Sequence, residues 1–110
     1  MSVSNEFLSY IVDQLSTVGP VNARKMFGGA GVYLNGLMFG LVSSDVLYLK
    51  VDDSNRPDYE KAGSQIFQPW PDKPNTMPYY EVPADVLDDR MLLKQWAEKS
   101  VKVARKGKKK

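Results

Sequence analysis

The amino-acid sequence predicts an α+β fold, in which an antiparallel β-sheet is flanked by an N-terminal helix, a short middle helix and a long C-terminal helix. Three observations lead to this prediction. Apolar residues recur at three- and four-residue steps near both ends of the chain. Between these segments, two apolar runs meet at Asn35-Gly36, a dipeptide that strongly favours a β-hairpin. The links between successive strands are too short for parallel crossovers, so neighbouring strands must run antiparallel.

The first helix is predicted over residues 5–17. Ser4 is a suitable N-cap, because its hydroxyl can accept a hydrogen bond from a free N–H group of the first turn. Gly19-Pro20 ends the helix, since proline cannot continue it. The predicted buried face consists of Phe7, Leu8, Ile11, Val12 and Leu15.

A strand-rich region is predicted from about residue 23 to residue 51. Residues 31–34 approach the Asn35-Gly36 turn and residues 37–42 leave it, because Asn and Gly tolerate the positive φ angles of a type I′ turn. Ser43-Ser44-Asp45 is expected to form the next turn, and residues 46–51 then form a third strand.

The middle of the chain is predicted to hold a short helix over residues 55–62, capped by Asp53-Ser54-Asn55. Ile66-Phe67 and residues 79–82 are predicted to be short strands. The segment between them, residues 68–78, contains four prolines, which remove backbone donors and favour an irregular loop. A loop of this length inside a small domain is often functional.

The last predicted elements are a helical turn over residues 83–87 and a helix from about residue 89 to residue 105, capped by Asp88 or Asp89. Its predicted buried face includes Leu93, Trp96 and Val101. We expect one domain over residues 1–105, followed by a disordered basic tail over residues 106–110.

Composition argues against most catalytic chemistry. The 110 residues contain no cysteine and no histidine, which removes disulfides, thiol nucleophiles and the usual zinc ligands. We therefore expect no enzymatic activity, no metal and no cofactor. The first residues lack the pattern of a signal peptide, and no apolar run approaches the roughly 20 residues that a membrane span needs. A cytoplasmic location, away from membranes, is the expectation.

Three short motifs have competing interpretations. The glycines in Gly28-Gly29-Ala30-Gly31 resemble a phosphate loop, but a strand follows them instead of a helix, so we favour a bent strand. Arg24-Lys25 could contact a phosphate or an acidic partner, or could simply be solvated charges on an edge strand. The carboxylates of Asp52-Asp53, and those of Asp85 with Asp88-Asp89, could perform acid–base work or hold a hard cation. Both groups stand where helix caps are expected, and capping is the preferred interpretation.

Aromatic residues suggest a contact surface. Trp70, Tyr79, Tyr80 and Trp96 could form a stacking platform for bases, but Lys73 is the only basic residue close to the first three. Trp96 fits the buried face of the last helix. Trp70 stands in the proline-rich loop, where it either contacts a partner or covers the domain's own core.

Positive charge is concentrated at the C-terminus. The six basic residues from position 102 onward leave nine against thirteen acidic ones, so residues 1–101 carry a formal charge of −4. A lysine cluster of this kind attracts nucleic-acid phosphates without sequence preference, or merely aids solubility. The candidate nucleic-acid residues are Lys102, Arg105, Lys106, Lys108, Lys109 and Lys110.

Several segments together resemble a known family. These are RKMFGG at residues 24–29, the hairpin strands at residues 31–39, LYLKVD at residues 47–52, PYYEVP at residues 78–83 and the late Trp96-Ala97. From about residue 8 to residue 104 the chain resembles the N-terminal domain of the TfoX/Sxy family, which regulates natural competence and DNA transformation in bacteria. The resemblance implies an α+β domain with an antiparallel sheet.

The resemblance also carries a functional expectation. Full-length members promote transcription of DNA-uptake genes, acting with a cyclic-AMP receptor protein, and they carry a second C-terminal domain that is not found in this chain. The chain is therefore similar to stand-alone members. We expect a non-enzymatic regulatory module that binds a transcription factor or an RNA polymerase component, with a homodimer also possible through a sheet edge. The expected partner-binding residues are Arg24, Lys25, Phe27, Trp70, Tyr79 and Tyr80. The alternative is a non-specific nucleic-acid binder that uses the basic tail.

Overall fold

A computed structural model describes residues 4–26, 29–69, 72, 74 and 76–108. Within these ranges it contains six strands and four helices in a single arrangement around one core. The helices are α1 (Asn5–Leu15), α2 (Arg56–Lys61), α3 (Ala84–Leu87) and α4 (Arg90–Lys108). The strands are β1 (Val21–Met26), β2 (Gly29–Leu34), β3 (Leu37–Ser43), β4 (Val46–Lys50), β5 (Ile66–Phe67) and β6 (Met77–Glu81).

The six strands form one antiparallel sheet in the order β1-β2-β3-β4-β6-β5. Two-residue turns join β2 to β3 and β3 to β4. Asn35 and Gly36 have φ angles of 53° and 81°, and Ser44 and Asp45 have φ angles of 53° and 58°. Both turns therefore use the left-handed region that type I′ turns require, which matches the right-handed twist of the strands.

Helices α1 and α4 pack on one face of the sheet, and their apolar stripes form the core with it. Ile11 and Leu15 of α1 and Leu93 of α4 are fully buried against Val32 and Leu49 of the sheet. Side chains alternate along a strand, so the residues between these core positions point to the opposite face. The predicted α+β class with helices flanking an antiparallel sheet is confirmed.

The N-terminal helix is held at both ends. The Ser4 hydroxyl accepts a hydrogen bond from the N–H of Phe7, as predicted for the N-cap, while its own N–H donates to the Asp45 carboxylate at 2.9 Å. Toward the C-terminal end of α1, the Gln14 side chain donates to the carbonyl of Leu87 at 2.9 Å, and one turn earlier the Tyr10 hydroxyl donates to Asp88 at 2.6 Å. These bonds tie α1 to the turn before α4.

The middle of the chain differs from the prediction in its capping. Asn55 precedes α2 but makes no cap hydrogen bond to it. Its buried side chain instead accepts from the N–H of Asp52 at 2.9 Å and donates to the carbonyl of Lys50 at 3.1 Å. The carboxylate of Asp52 accepts from Ser54, so it stabilises the local turn, and Asp53 pairs with Arg56. Asn55, predicted to cap α2, therefore serves instead as a clamp that holds together the backbone on either side of Val51, at the end of β4.

Several boundaries also differ, most clearly those of β6 and α4. Strand β6 begins at Met77 and includes Pro78, whose carbonyl accepts a hydrogen bond from the N–H of Val51. Helix α4 is capped by Asp89, which accepts from the N–H of Leu92, and it continues to Lys108. The helix thus extends three residues beyond its predicted end at residue 105, and Lys106 within it pairs with Asp52. Lys109 and Lys110 lie outside the described residues.

None of the four helices in the described part of the chain is long and apolar enough to cross a membrane.

Candidate functional site

The helices cover only one face of the sheet, and we call the other the open face. Strand register assigns its residues: Arg24 lies opposite Gly31, Tyr33 opposite Met38, and Lys50 opposite Tyr79, all out of phase with the core positions. The side chains of the open face include Asn22, Arg24, Tyr33, Met38, Leu41, Val46, Tyr48, Lys50, Phe67, Met77, Tyr79 and Glu81.

Two cations of the open face lie over aromatic rings. The Arg24 guanidinium is 5.9 Å from the centre of the Tyr33 ring, and the Lys50 ammonium is 5.8 Å from that of Tyr79. Both distances suit cation–π attraction. Neither cation forms an ion pair with a carboxylate of the described residues. Their positive charges are therefore available to an incoming acidic group.

An apolar patch lies beside these cations. The rings of Tyr48 and Phe67 pack at 4.8 Å between centroids, both half-buried, and Met77 is 40% exposed at the sheet end. Burial and the nearby Glu81 carboxylate raise the pKa of the Tyr48 hydroxyl. Partly exposed aromatic side chains on a sheet face that none of the described helices covers are a common feature of protein contact surfaces.

Tyr79 is the most deeply buried aromatic residue assigned to the open face. It is 5% exposed although no helix lies on its face of the sheet. Burial raises the pKa of its hydroxyl, and the neighbouring Tyr33 hydroxyl adds to the increase. The raised pKa keeps Tyr79 protonated at neutral pH, so its hydroxyl can donate a hydrogen bond on this face.

The structure separates the predicted partner-binding residues. Arg24 and Tyr79 belong to the open face, whereas Lys25 points to the helix side of β1. Tyr80 also points to the helix side, where its ring lies 5.7 Å from that of Tyr59. Phe27 and Trp70 lie outside the described residues.

The proposed platform of Trp70, Tyr79, Tyr80 and Trp96 is not one surface. Trp96 packs at 4.7 Å on Tyr59 on the inner side of the sheet, away from Tyr79. Tyr33, Tyr48 and Lys50 of the open face were missed as site residues. A usable signal is present in the sequence, because alternation along residues 46–51 puts Tyr48 and Lys50 on one face of the strand and Leu47 and Leu49 on the other.

The interface of α2 and α4 holds two buried hydroxyls, those of Tyr59 and Ser100. They lie side by side, and neither has a hydrogen-bond partner of good geometry among the described residues. Burial raises the pKa of Tyr59. The aromatic rings of Tyr80 and Trp96 pack against Tyr59, so this polar pair belongs to the core and offers no access to a substrate.

Helix α4 carries basic residues of two kinds, those that form ion pairs and those that do not. Arg90, Lys99 and Lys106 pair with Asp13, Asp58 and Asp52 respectively. Lys94, Lys102 and Arg105 are exposed and form no ion pair with any described residue. Lys102 and Arg105 line a shallow groove with Val18 and Leu34. Of the predicted nucleic-acid residues, these two are free to bind an anion, while Lys106 is partly neutralised.

In the described ranges, no group of three or more acidic side chains is arranged to hold a metal ion.

A family model, the TfoX N-terminal domain, matches residues 13–104. The chain belongs to this family. The match covers α1 from Asp13 onward, the whole sheet and most of α4, so the open face and most of the core lie inside the family domain. No curated protein sequence matches the chain.

Proposed function

We propose that this protein is a non-enzymatic regulatory module that binds a protein partner on the open face of its sheet. The observation that carries the proposal is the open face itself, where half-exposed aromatic rings stand beside two cations that lack acidic partners within the described structure. Membership of the TfoX N-terminal domain family supports a role in transcription regulation. The proposed partner is a transcription factor or an RNA polymerase component that presents carboxylates to Arg24 and Lys50.

The absence of histidine and cysteine from the sequence supports the non-enzymatic part of the proposal. The remaining side chains that could act as acids or bases are those of Asp, Glu, Lys and Tyr, and the described ones are dispersed among ion pairs, turns and the open face. As part of the same proposal we place the protein in the cytoplasm, where transcription is regulated.

The experiment uses the full chain as bait in its native lysate, with crosslinking and mass spectrometry. The test variant reverses both open-face cations (Arg24→Glu with Lys50→Glu), and Lys61→Glu on α2 is the matched control, since Lys61 is exposed and lies off the sheet. We expect one stoichiometric protein that the double variant fails to capture and the control retains. Capture of no such protein by the wild type, or equal capture by the double variant, would refute the proposal.

Nucleic-acid binding is the second candidate, and the unpaired cations Lys102 and Arg105 on α4 favour it. Binding of this kind weakens steeply with salt. The test is a salt titration of binding to a 20-base-pair duplex, with Lys102→Gln plus Arg105→Gln as the variant. Micromolar binding with a steep salt dependence, lost in that variant, would establish it. Binding that is equal in variant and wild type would exclude these residues as the contact.

A further inference from the structure

The sheet has two edges, and they differ in what they can accept. Strand β5 is two residues long, and its register shifts between Ile66 and Phe67, so it offers no continuous template. Strand β1 is six residues long and pairs with β2 without any shift from Val21 to Met26. It contains no proline and no bulge, two of the devices that protect an edge, so its protection rests on the charges of Arg24 and Lys25 alone. The β1 edge is therefore the extended free edge of the described sheet.

The register shows which β1 groups face outward. Leu34 and Leu37 flank a two-residue turn, so Leu34 exchanges hydrogen bonds with β3, and Tyr33 directs its groups toward β1. By the same alternation Asn22 and Arg24 bond to β2, while Ala23 and Lys25 direct N–H and C=O away from the sheet. Val21 occupies the same side of the alternation as Ala23 and Lys25, and its N–H donates to the carbonyl of Gly19 and not to β2. The outward groups of Ala23 and Lys25 have no backbone partner in the described chain.

Charge restricts what can bind there. Arg24 points to the open face and Lys25 to the helix face, and both are exposed. A second copy of the chain pairing antiparallel through the middle of β1 would bring these cations close to their own equivalents. Like charges at that distance oppose such a dimer. A strand with two successive acidic residues would instead place one carboxylate on each face, next to Arg24 and Lys25.

We propose that the β1 edge binds an extended acidic segment of the partner protein, which adds a seventh, antiparallel strand with consecutive Asp or Glu residues opposite Arg24 and Lys25. This inference rests on the proposed function, because it assumes a protein partner and specifies how that partner is held. Main-chain hydrogen bonds supply affinity in this mode, and the alternating side chains supply specificity. Arg24 belongs to both the edge and the open face, so the partner would continue from the added strand onto the aromatic patch.

The test measures fluorescence anisotropy of the full chain with a labelled peptide, Thr-Val-Thr-Asp-Glu-Thr-Val-Thr-amide. We expect micromolar binding that falls at least tenfold when Lys-Lys replaces Asp-Glu, and at least tenfold when alternate peptide amides are N-methylated. Arg24→Glu with Lys25→Glu should invert the preference toward the Lys-Lys peptide. Failure of the wild type to bind the acidic peptide, or binding that every N-methylation pattern leaves unchanged, would overturn the proposal.

A protein variant separates the edge from the rest of the surface. Ala23→Pro removes an outward N–H group without touching the bonds between β1 and β2, and Ala23→Ser is the control that keeps the N–H. We expect at least a tenfold loss of peptide affinity for Ala23→Pro and none for Ala23→Ser. Amide NMR signals of β2, β3 and β4 report whether the variant is folded. If it is not, the N-methylated peptides and the charge inversion decide the matter.

The outcomes also distinguish this inference from the proposed function. If folded Ala23→Pro still captures the native partner at full stoichiometry while the open-face double variant does not, the edge proposal fails and the regulatory module stands. If the wild type captures no partner at all, the proposed function fails, whatever the peptide shows. A dimer that sedimentation detects in the wild type and that Ala23→Pro abolishes would identify a second copy as the occupant and overturn the acidic segment.

Discussion

The buried side chain of Asn55 should be among the most important polar groups for stability. It closes the end of β4 by accepting from the N–H of Asp52 and donating to the carbonyl of Lys50, at 2.9 and 3.1 Å, and it is 1% exposed. Asn55→Ala removes both bonds and leaves two backbone groups without a partner. Each such group costs about 1–3 kcal/mol when buried. Lys50 and Asp52 are only half-buried, so water can partly compensate, and we expect a total loss of about 2–3 kcal/mol.

The assay is urea unfolding at pH 7, followed by tryptophan fluorescence, to which Trp96 contributes because its ring packs on the buried Tyr59. For a chain of this size the slope of free energy against urea is about 1–1.5 kcal/mol/M, so the midpoint should fall by about 2 M with an unchanged slope. Asn22→Ala is the matched control, because Asn22 is exposed on β1, and its effect should stay within about 0.5 kcal/mol. A loss below 0.5 kcal/mol for Asn55→Ala would refute the clamp.

Asn55→Asp tests the direction of the two bonds. The new carboxylate keeps the acceptor for Asp52, but when ionised it faces the Lys50 carbonyl without a proton to donate. Burial should raise its pKa in the folded state, so stability relative to the wild type falls as the pH rises through the ordinary carboxyl range near 4. At pH 3 the protonated acid can donate, and most of the loss should be recovered. Wild-type stability at pH 7 would contradict this account.

Three further predictions use other positions. Gly29→Ala should cost about 3 kcal/mol or prevent folding, because its Cβ would lie 2.3 Å from the carbonyl oxygen of Val42, and urea unfolding measures the loss. Gly107→Ala should stabilise by up to about 1 kcal/mol in the same assay, because it meets no atom within 4 Å and lies in a helix. Hydrogen bonds from Ser54 lower the pKa of Asp52 below 3.8, so the stabilisation is present above that value and is lost as the pH falls through the lowered pKa. Asp52→Asn should therefore be less stable than the wild type at pH 7, and the difference should shrink as the pH falls through the lowered pKa; a difference that stays constant throughout an acid titration would contradict this.

Much of the fold could be predicted because the signals are local. The Asn35-Gly36 turn follows from two residues that tolerate positive φ, and the structure has it. The buried stripe of α1 follows from spacing alone, with Ile11 and Leu15 at its centre. Asp89 was one of two predicted caps for α4, and it accepts from the first turn as a cap should.

The candidate site was harder to predict because it depends on which strands become neighbours. Tyr48 and Phe67 are 19 positions apart, and nothing local indicates that their rings meet. The packing of Trp96 on Tyr59 could not be predicted either. Spacing placed Trp96 on the buried face of its helix, but did not indicate which residue its ring contacts. Asn55 was interpreted as a cap since Asn is common there, whereas the backbone at the end of β4 competes for the same side chain.

The sequence by itself determined where helices and turns form, because propensity, capping and positive-φ preferences act over a few residues. It also determined that no histidine or cysteine is available to the protein. Only the tertiary structure decided which face of the sheet the helices cover. Strand β3 is apolar on both sides, with Val42 facing the helices and Leu41 the open face. Alternation therefore separates two faces, but does not indicate which of them the helices cover. The packing of α1 and α4 makes that choice, and with it decides that Arg24 and Lys50 remain on the uncovered surface.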